Sequence, residues 1–334
     1  MNNCNNNNCI NNNCSSCRSR SSSSSTSSTT TTNVDLSNDK SRLSINQQPQ
    51  QQQDNNSNIV DGYNIIDDAC GYARIYGYVK KDKNDLLSPF LIEKYEKDAD
   101  KYWNKFYKHN NNNFFKDRHW LVREFPEFLM KPIDGQKDVK VFEIGCGVGN
   151  TTLPLLELNE HLRFVSFDFS AHAVDLLAKE VEANEQYRGR CDSFVFSAVE
   201  PAEKLPSCVP FGQCDLVVII FVLSAMHPDT FGNVVDMCYK TLRPGGKVLI
   251  RDYAENDMAQ ARFEKHASKI GDNFHVRYDG TRAYYFSLEH MEKLYTSGGL
   301  FKTEQNVFIE KTVTNRKQKN NMDRRFIQSK FIKI

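Results

Sequence analysis

The sequence lacks a long apolar run. Its longest, residues 216–223, has eight residues, whereas a membrane-spanning helix needs about 20. No segment combines the charged, apolar and small-residue regions of a secretory signal. We therefore expect no membrane partner and a cytoplasmic protein, with a nuclear or mitochondrial pool left open.

The chain also lacks a regular pattern of cysteines. Four of its ten cysteines lie at Cys4, Cys9, Cys14 and Cys17, and the others are scattered singly. Such a pattern is not a disulfide framework. The CxxC pair Cys14 and Cys17 could hold zinc, but the Cys4 to Cys9 gap and the absence of nearby apolar residues do not fit a zinc finger. The sequence predicts no metal site.

The chain has almost no excess charge, with 43 basic residues, 42 acidic residues and a formal net charge of +1. This balance does not exclude a nucleic-acid partner, because a basic face can coexist with acidic surface elsewhere. Residues 1–60 are tracts of Asn, Ser, Thr and Gln. They contain too little apolar surface to offset their ordering entropy, so we expect a disordered tail.

The remaining sequence predicts an extension followed by a catalytic domain. Residues 61–132 are aromatic and basic, with a helix-like stretch at 91–106, and read as an N-terminal extension packed on a domain formed by residues 133–334. Strand-like runs are expected at 139–144, 163–169, 194–199, 215–222 and 247–253, with helices at 151–158, 171–184 and 230–242. This alternation is typical of a doubly wound α/β sheet. A helix at 288–297 and an antiparallel strand pair at 304–313 and 325–332 would complete it.

The first strand leads into a glycine-rich loop. Gly145, Gly147 and Gly149 follow Glu143 at alternate positions, and glycine permits a sharp turn and a close approach to a ligand. A dinucleotide fingerprint would place its third glycine at position 150, which is Asn150. The spacing instead resembles motif I of class I methyltransferases, whose cofactor is S-adenosyl-L-methionine. A carboxylate such as Glu143 is compatible with the positive sulfonium of that cofactor.

Asp168 ends the second strand, 23 residues beyond Gly145. A carboxylate at this strand end can accept hydrogen bonds from both ribose hydroxyls of a nucleotide-like cofactor. The alternative is structural, since Asp168 or Ser170 could cap the next helix. We interpret Asp168 as the ribose-binding residue.

Several further stretches carry a family resemblance. The residues are Tyr102-Trp-Asn-Lys-Phe-Tyr107, Phe114-Phe-Lys-Asp-Arg-His-Trp120, Ile220-Phe-Val-Leu-Ser-Ala-Met-His-Pro-Asp229, Arg251-Asp-Tyr253 and Val276-Arg-Tyr-Asp-Gly-Thr-Arg282. With the glycine loop, they resemble the methyltransferase-like family that makes 3-methylcytidine in the tRNA anticodon loop. The resemblance covers about residues 100–334 and implies a class I, Rossmann-like methyltransferase fold. Residues 257–263 look nearest to the family's threonine-tRNA branch, with serine tRNAs left open.

The resemblance implies a cofactor pocket containing Trp103, Tyr107, Gly145, Asp168 and Ile220. Trp103 and Tyr107 are four residues apart and would share one helix face, from which they could cover the adenine or shield the sulfonium. Ordinary core packing is the alternative for both. The family's acidic residue after the third strand is missing at its usual position, and Glu200, one place later, is our substitute.

Methylation of cytosine at N3 needs no strong base, because N3 already presents a lone pair. A carboxylate that stabilises the positive charge moving onto the ring would help, and Asp252 is the predicted one. The alternative for Asp252 is an ion pair with Arg251 or Arg282. We expect His227 to shape the turn before Pro228 rather than to act as a base.

Two basic segments, residues 101–120 and 311–333, suggest a surface for RNA. The first mixes lysines and an arginine with aromatic residues, a combination that binds phosphates and unpaired bases. The resemblance implies RNA contacts at Lys116, Arg118, His119, Trp120 and Arg282. The expected partner is therefore tRNA, with an aminoacyl-tRNA synthetase as a possible helper. The alternatives are methylation of a protein or small molecule, and a cofactor-binding partner subunit without activity.

Overall fold

The computed structural model describes residues 58–60, 63–67, 73–76, 86–110, 115–133, 135–264, 268–315 and 320–334. The CxxC pair and residues 1–57 of the predicted disordered tail lie outside these residues. Residues 58–60, at the boundary of the predicted tail, pair as a strand with residues 63–65. Ile59 and Val60 are β-branched, which favours an extended backbone.

The helices and strands alternate through most of the described chain. The strands are β1 Asn58–Val60, β2 Tyr63–Asp67, β3 Ala73–Tyr76, β4 Val139–Ile144, β5 Leu162–Asp168, β6 Cys191–Val195, β7 Cys214–Ile220, β8 Leu242–Tyr253, β9 Lys269–Gly271, β10 Phe274–Val276, β11 Arg282–Tyr284, β12 Phe301–Asn315 and β13 Asn320–Lys333. The helices are α1 Pro89–Lys97, α2 Ala99–Asn110, α3 Leu121–Glu124, α4 Thr152–Leu158, α5 Ala171–Ala183, α6 Phe231–Thr241, α7 Met258–Phe263 and α8 Leu288–Thr296.

A seven-stranded sheet in the order β12-β13-β8-β7-β4-β5-β6 forms the centre of the domain. Five neighbouring strands, β6, β5, β4, β7 and β8, pair in parallel. At one edge of the sheet, β13 and β12 add an antiparallel pair. This is the predicted class I methyltransferase fold. The strand order reverses between β4 and β7, and ligands bind at such a switch point, beyond the carboxyl ends of the strands.

Apolar runs place the central strands inside the molecule. All seven residues of β7 are buried, and they alternate between two faces. Val217 and Ile219 pack into one core cluster, whereas Leu216 and Val218 pack into the other. Burial on both faces explains why the sequence of this strand is a continuous apolar run rather than an alternating one.

The structure corrects the predicted bounds of two segments and adds a small sheet that was not predicted. The single helix expected at 91–106 is two helices, because α1 ends at Asp98, whose backbone N–H bonds to the carbonyls of Lys94 and Glu96. The strand expected at 194–199 ends at Val195, and the residues after it turn toward the sheet's carboxyl edge. The sequence also gave no sign of the small sheet β9-β10-β11, because strands of three residues show no measurable periodicity.

The segment before the sheet packs on the catalytic domain. Leu91, Tyr95 and Tyr102 belong to the larger core cluster. Phe106 and Tyr107 pack against Val148, within the glycine loop, and against Ala173, in the first turn of α5. Helices α1 and α2 therefore cover the carboxyl edge of the sheet and form one wall of the site described next.

Candidate active site

A cavity of about 710 Å³ lies at the carboxyl ends of the parallel strands. This volume falls within the range of about 300–1,000 Å³ that is usual for ligand sites. The glycine loop and the ends of β5 and β7 form one part of its wall, and α1 and α2 form another. Further lining residues come from β8, β13, the loop between β10 and β11 and the start of β11: Tyr253, Arg324, Arg277, Asp279, Thr281 and Arg282.

The glycine loop turns at the mouth of β4. Gly145, Gly147 and Gly149 all have positive φ angles, of 71°, 54° and 92°, a region that side chains strongly disfavour. A Cβ atom on Gly145 would lie 2.5 Å from the Val222 side chain, and one on Gly147 would lie 2.6 Å from the Tyr107 hydroxyl. Gly145 and Gly147 line the cavity, whereas Gly149 packs behind it against Leu177.

Asp168 lies at the end of β5, on the floor of the cavity. One carboxylate oxygen accepts a hydrogen bond from the backbone N–H of Gly147 at 2.9 Å, and the other accepts one from Ser170 at the same distance. Burial raises the pKa of Asp168 to about 6, although these backbone bonds oppose the shift. The cap of α5 is Ser170, whose hydroxyl accepts from Ala173. Asp168 is therefore a cavity residue that also supports the loop.

Trp103 and Tyr107 lie on the same face of α2, as their spacing predicted, with ring centroids 5.8 Å apart. Both line the cavity, as does Ile220 at the end of β7. Core packing and cavity lining are not exclusive here, because the same two rings also contact Phe106. The α2 aromatics thus form an apolar wall directly above the glycine loop.

Glu143 lies beneath the cavity rather than in it. Its carboxylate accepts hydrogen bonds from Thr152 and, at 3.4 Å, from Ser166, and its side chain is buried. Burial raises the pKa of Glu143, and the nearby Arg118 guanidinium partly counteracts this. Any contact of Glu143 with a cofactor remains a prediction, since the described geometry shows a structural role under the loop.

Glu200 is half-exposed and forms an ion pair with Lys204 at 2.6 Å. The cavity wall in this region is formed by Val195 and the four residues after it, 196–199, and does not include Glu200. The predicted adenine contact of Glu200 therefore stays a prediction.

Asp252 is fully buried near the end of β8. Its carboxylate accepts hydrogen bonds from the backbone N–H of Ser224 at 3.0 Å and of Tyr253 at 2.8 Å, and burial raises its pKa to about 6. Ser224 and Tyr253 line the cavity, so Asp252 lies one layer behind the wall. The alternative for Asp252 was an ion pair with Arg251 or Arg282, and in the described residues both arginines pair with other carboxylates.

The carboxylate partners of these two arginines come from the helices that precede the sheet. Arg251 bonds to Glu124 at 3.1 Å and to Gln328, and Arg282 pairs with Glu96 of α1. Arg282 is buried and lines the cavity, which keeps it within reach of a ligand there. His227 begins a short helical turn at Pro228, and its Nδ1 accepts from the Asp229 N–H at 3.3 Å.

Sequence reasoning missed the aromatic and cationic half of the cavity. The Tyr253 ring has Arg277 at 5.5 Å and Arg324 at 5.7 Å from its centroid, and it packs against Phe221 with centroids 5.1 Å apart. Phe221 itself has a positive φ of 61° directly after β7, a strained conformation that is concentrated at functional sites. No local sequence signal places these residues together, because they come from β7, β8, β13 and the β10–β11 loop.

The predicted RNA residues occupy different environments. Lys116 and His119 are exposed, whereas Trp120 is partly buried under the Arg251 guanidinium, which lies 4.8 Å from its ring. Arg118 lines the cavity, and its guanidinium donates to Thr151 Oγ1 at 2.8 Å and to the Ile220 carbonyl at 3.2 Å. Phe114 lies outside the described residues.

Among the described residues, no group of three or more His, Cys, Asp or Glu side chains is placed to hold a metal ion. None of the described helices is long and apolar enough to cross a membrane.

Comparisons with known proteins agree on fold and family. A family model described as a methyltransferase domain matches residues 142–248. Among solved structures, the chain is similar to a SAM-dependent methyltransferase from Anabaena variabilis, with a TM-score of 0.52 and 13% identity over 71% of this chain and 95% of that one. It is also similar to the 1,6-didemethyltoxoflavin-N1-methyltransferase of Burkholderia thailandensis, with a TM-score of 0.50 and 13% identity over 83% of this chain and 97% of that one.

Three curated relatives are much more similar in sequence. The rat tRNA N(3)-cytidine methyltransferase METTL6 is 42% identical over 77% of this chain and 88% of its own length. Its human counterpart is 41% identical over 76% and 87%. The Saccharomyces cerevisiae tRNA(Thr) (cytosine(32)-N(3))-methyltransferase is 37% identical over 76% of this chain and 40% of its own length.

Proposed function

The chain belongs to the family of tRNA N(3)-cytidine methyltransferases, and from this premise we propose that it forms 3-methylcytidine in the anticodon loop of tRNA. The observation that carries the proposal is the two-part cavity. One part has the features of an S-adenosylmethionine site, and the other combines aromatic rings with arginines. Such a combination suits an unpaired base and its phosphates.

The first part of the cavity fits the cofactor. The glycine loop leaves no room for Cβ atoms at Gly145 and Gly147, and the Asp168 carboxylate is available to ribose hydroxyls. Trp103 and Tyr107 supply a wall for the adenine or the sulfonium. When bound, S-adenosylmethionine supplies an activated methyl group that a ring nitrogen can take up directly.

The second part suits the acceptor base. We propose that the cytosine enters beside Tyr253, where the ring and two guanidinium groups can hold a base and its phosphates. Catalysis then depends on placing N3 in line with the methyl group, since alignment alone can supply much of the acceleration. Asp252 would stabilise the developing positive charge from behind Ser224 and Tyr253, as an electrostatic and positioning residue rather than by direct contact.

Threonine tRNA, serine tRNA or both are the proposed substrates. The yeast relative named for tRNA(Thr) supports the first, as does the resemblance of residues 257–263. An aminoacyl-tRNA synthetase remains a proposed helper, which would act as a separate protein partner. The proposed location is the cytoplasm, which cell fractionation would test.

The decisive experiment uses purified full-length protein, labelled S-adenosylmethionine and total tRNA. We expect label in 3-methylcytidine after digestion to nucleosides, and its loss with Asp168→Ala. Asp252→Asn should lower kcat without changing the dissociation constants of cofactor or tRNA. Label in another nucleoside, or none when a cognate synthetase is also present, would overturn the proposal.

A further inference from the structure

Residues 277–280 form a turn within the five-residue connection between β10 and β11 at the edge of the cavity, and we call this turn the rim turn. Arg277 and Asp279 line the cavity. Tyr278 between them does not, and it is 84% exposed, the largest exposed fraction among the big apolar and aromatic side chains of the described residues. The rim turn thus directs alternate side chains into the cavity and away from it.

The rim turn is held rigidly. The Gly280 N–H donates to the Arg277 carbonyl at 2.9 Å, and the Arg277 N–H donates to the Thr281 carbonyl at 2.7 Å. The Asp279 carboxylate accepts from both the N–H and the hydroxyl of Thr281, at 3.0 and 2.7 Å. Because the backbone is already fixed, a ligand on Tyr278 would cost little further ordering.

The rim turn also rests on helix α2. A Cβ atom on Gly280, whose φ is 81°, would lie 2.2 Å from the Tyr102 ring. The Arg277 guanidinium donates to the Arg282 carbonyl at 2.6 Å and lies over the Tyr253 ring. Tyr278 therefore projects from a turn that rests on α2, and its neighbour Arg277 connects this turn to the proposed acceptor site.

An exposed aromatic ring on a fixed support has a chemical use in RNA binding. Every base has a flat face that can stack on such a ring, whatever its identity. If the target cytosine lies beside Tyr253, the chain of the RNA must leave the cavity past its rim. The nucleotide next to the target then comes within reach of Tyr278.

Resting on the proposed function, we infer that Tyr278 is a substrate-positioning residue that stacks on the base adjacent to the methylated cytidine. Its contribution is to hold the anticodon loop while the target base is inserted. Tyr278 touches neither the cofactor nor N3, so its effect belongs to tRNA binding rather than to the chemical step.

The test compares tRNA dissociation constants for the wild type, Tyr278→Ala and Tyr278→Phe, with S-adenosylhomocysteine present. Loss of the ring should weaken binding about tenfold, or about 1.4 kcal/mol, whereas Tyr278→Phe should bind like the wild type. The matched control is Phe211→Ala, an exposed ring just before β7, at the opposite edge of the sheet, which should change nothing. A Tyr278→Ala dissociation constant within twofold of wild type overturns the inference.

A second measurement identifies the stacked nucleotide. Full-length tRNA with an abasic site on either side of the target cytidine should bind the wild type more weakly for one of the two positions. That same tRNA should bind Tyr278→Ala no more weakly than intact tRNA does. Equal losses in both proteins overturn the inference. If the protein binds tRNA but forms no 3-methylcytidine, the proposed function is wrong. The comparison of intact and abasic tRNA then still decides whether Tyr278 stacks on a base.

Discussion

At the scale of single residues, Asp168 combines two tasks. Its carboxylate fixes the glycine loop through the Gly147 N–H and lines the cavity. Burial raises its pKa to about 6, so its charge changes just below neutral pH. The loop bonds and any ribose bonds both require the ionised acceptor, because a protonated carboxyl loses part of its accepting capacity.

We predict that cofactor affinity falls as the pH drops through about 6. A ligand that binds only the ionised Asp168 should lose up to about tenfold in affinity per pH unit below that pKa. Titration calorimetry with S-adenosylhomocysteine between pH 5 and 8 measures the effect. Asp168→Asn should bind weakly with little dependence on pH, and a wild-type affinity that is flat down to pH 5 would contradict the prediction.

The contribution of Asp168 to the free energy of unfolding should change with pH in the opposite direction to the cofactor affinity. A carboxyl whose folded pKa lies above its unfolded value near 3.8 binds its proton more tightly when folded. Its contribution to the free energy of unfolding therefore falls as the pH rises from about 4 to 6. Asp252 behaves in the same way, since burial raises its pKa to about 6 as well.

Gly147 offers a prediction about the loop itself. Gly147→Ala should raise the cofactor dissociation constant, because its Cβ would lie 2.6 Å from the Tyr107 hydroxyl. In the double variant with Tyr107→Phe, the nearest atom becomes the ring carbon at 3.4 Å, and part of the affinity should return. Full recovery is not expected, because the positive φ of 54° still costs alanine about 1 kcal/mol.

The measurement is a double-mutant cycle of cofactor dissociation constants, with Tyr107→Phe alone as its fourth corner. If the effects of the two substitutions on the free energy of cofactor binding are strictly additive, the contact between the Tyr107 hydroxyl and the new Cβ atom does not reduce the affinity.

At the scale of elements, backbone and side-chain hydrogen bonds join residues 115–118 to the end of the glycine loop. The Arg118 N–H donates to the Asn150 carbonyl at 2.9 Å, and the Asn150 amide donates to the Phe115 carbonyl at 3.2 Å. The Arg118 side chain reaches Thr151 and the end of β7. A segment that the sequence analysis assigned to RNA thus also supports the glycine loop.

We predict that Arg118→Met destabilises the fold, and does so more at pH 8 than at pH 5. It removes hydrogen bonds to partly buried acceptors, at about 1–3 kcal/mol, and it removes the cation that favours the ionised form of Glu143. The pKa of Glu143, already raised by burial, should rise further, so the penalty grows as that carboxyl ionises.

Urea denaturation at the two pH values measures this difference. Arg123→Met in the adjacent helix α3 provides the control, because Arg123 is exposed and pairs only with its neighbour Glu124 among the described residues. A loss for Arg118→Met that is equal at both pH values would show that Glu143 does not sense the guanidinium.

At the scale of the whole molecule, basic side chains lie at the cavity although the formal net charge is only +1. Arg118, Arg277, Arg282 and Arg324 line it beside four carboxylates, those of Glu96, Asp100, Asp168 and Asp279, and exposed Lys116 lies in the segment next to it. Positive groups gathered at a cleft raise the local concentration of an anionic substrate. RNA affinity should therefore be governed by this face rather than by the total charge.

We predict that Lys116→Ala reduces the salt dependence of tRNA binding. Each phosphate contact that is lost lowers the slope of log K against log salt by about 0.7 to 0.9. Binding measured between 50 and 300 mM KCl gives the slope. Lys137→Ala is the control, because Lys137 is exposed just before β4, at the opposite edge of the sheet. An unchanged slope for Lys116→Ala would remove this residue from the RNA interface.

The sequence alone determined the architecture and the part of the cavity formed by the glycine loop, the end of β5 and α2. Apolar runs that alternate with helix-length segments predicted β4, β5, β7 and β8 in the right order, because a local pattern of apolar residues indicates which faces must be buried. Glycine spacing located the loop, since positive φ angles require glycine at fixed positions. The bounds of α1 and α2 were missed because their break at Asp98 is a local capping event within one amphipathic stretch.

Only the tertiary structure decided which side chains meet in the acceptor half. Tyr253, Phe221, Arg277 and Arg324 are up to about one hundred residues apart, and no spacing rule joins positions on different strands. The same holds for Asp252, which the sequence placed at a strand mouth but whose carboxylate is occupied by two backbone N–H groups. Burial and hydrogen-bond partners are properties of packing, so they follow from the fold as a whole and not from any segment of the chain.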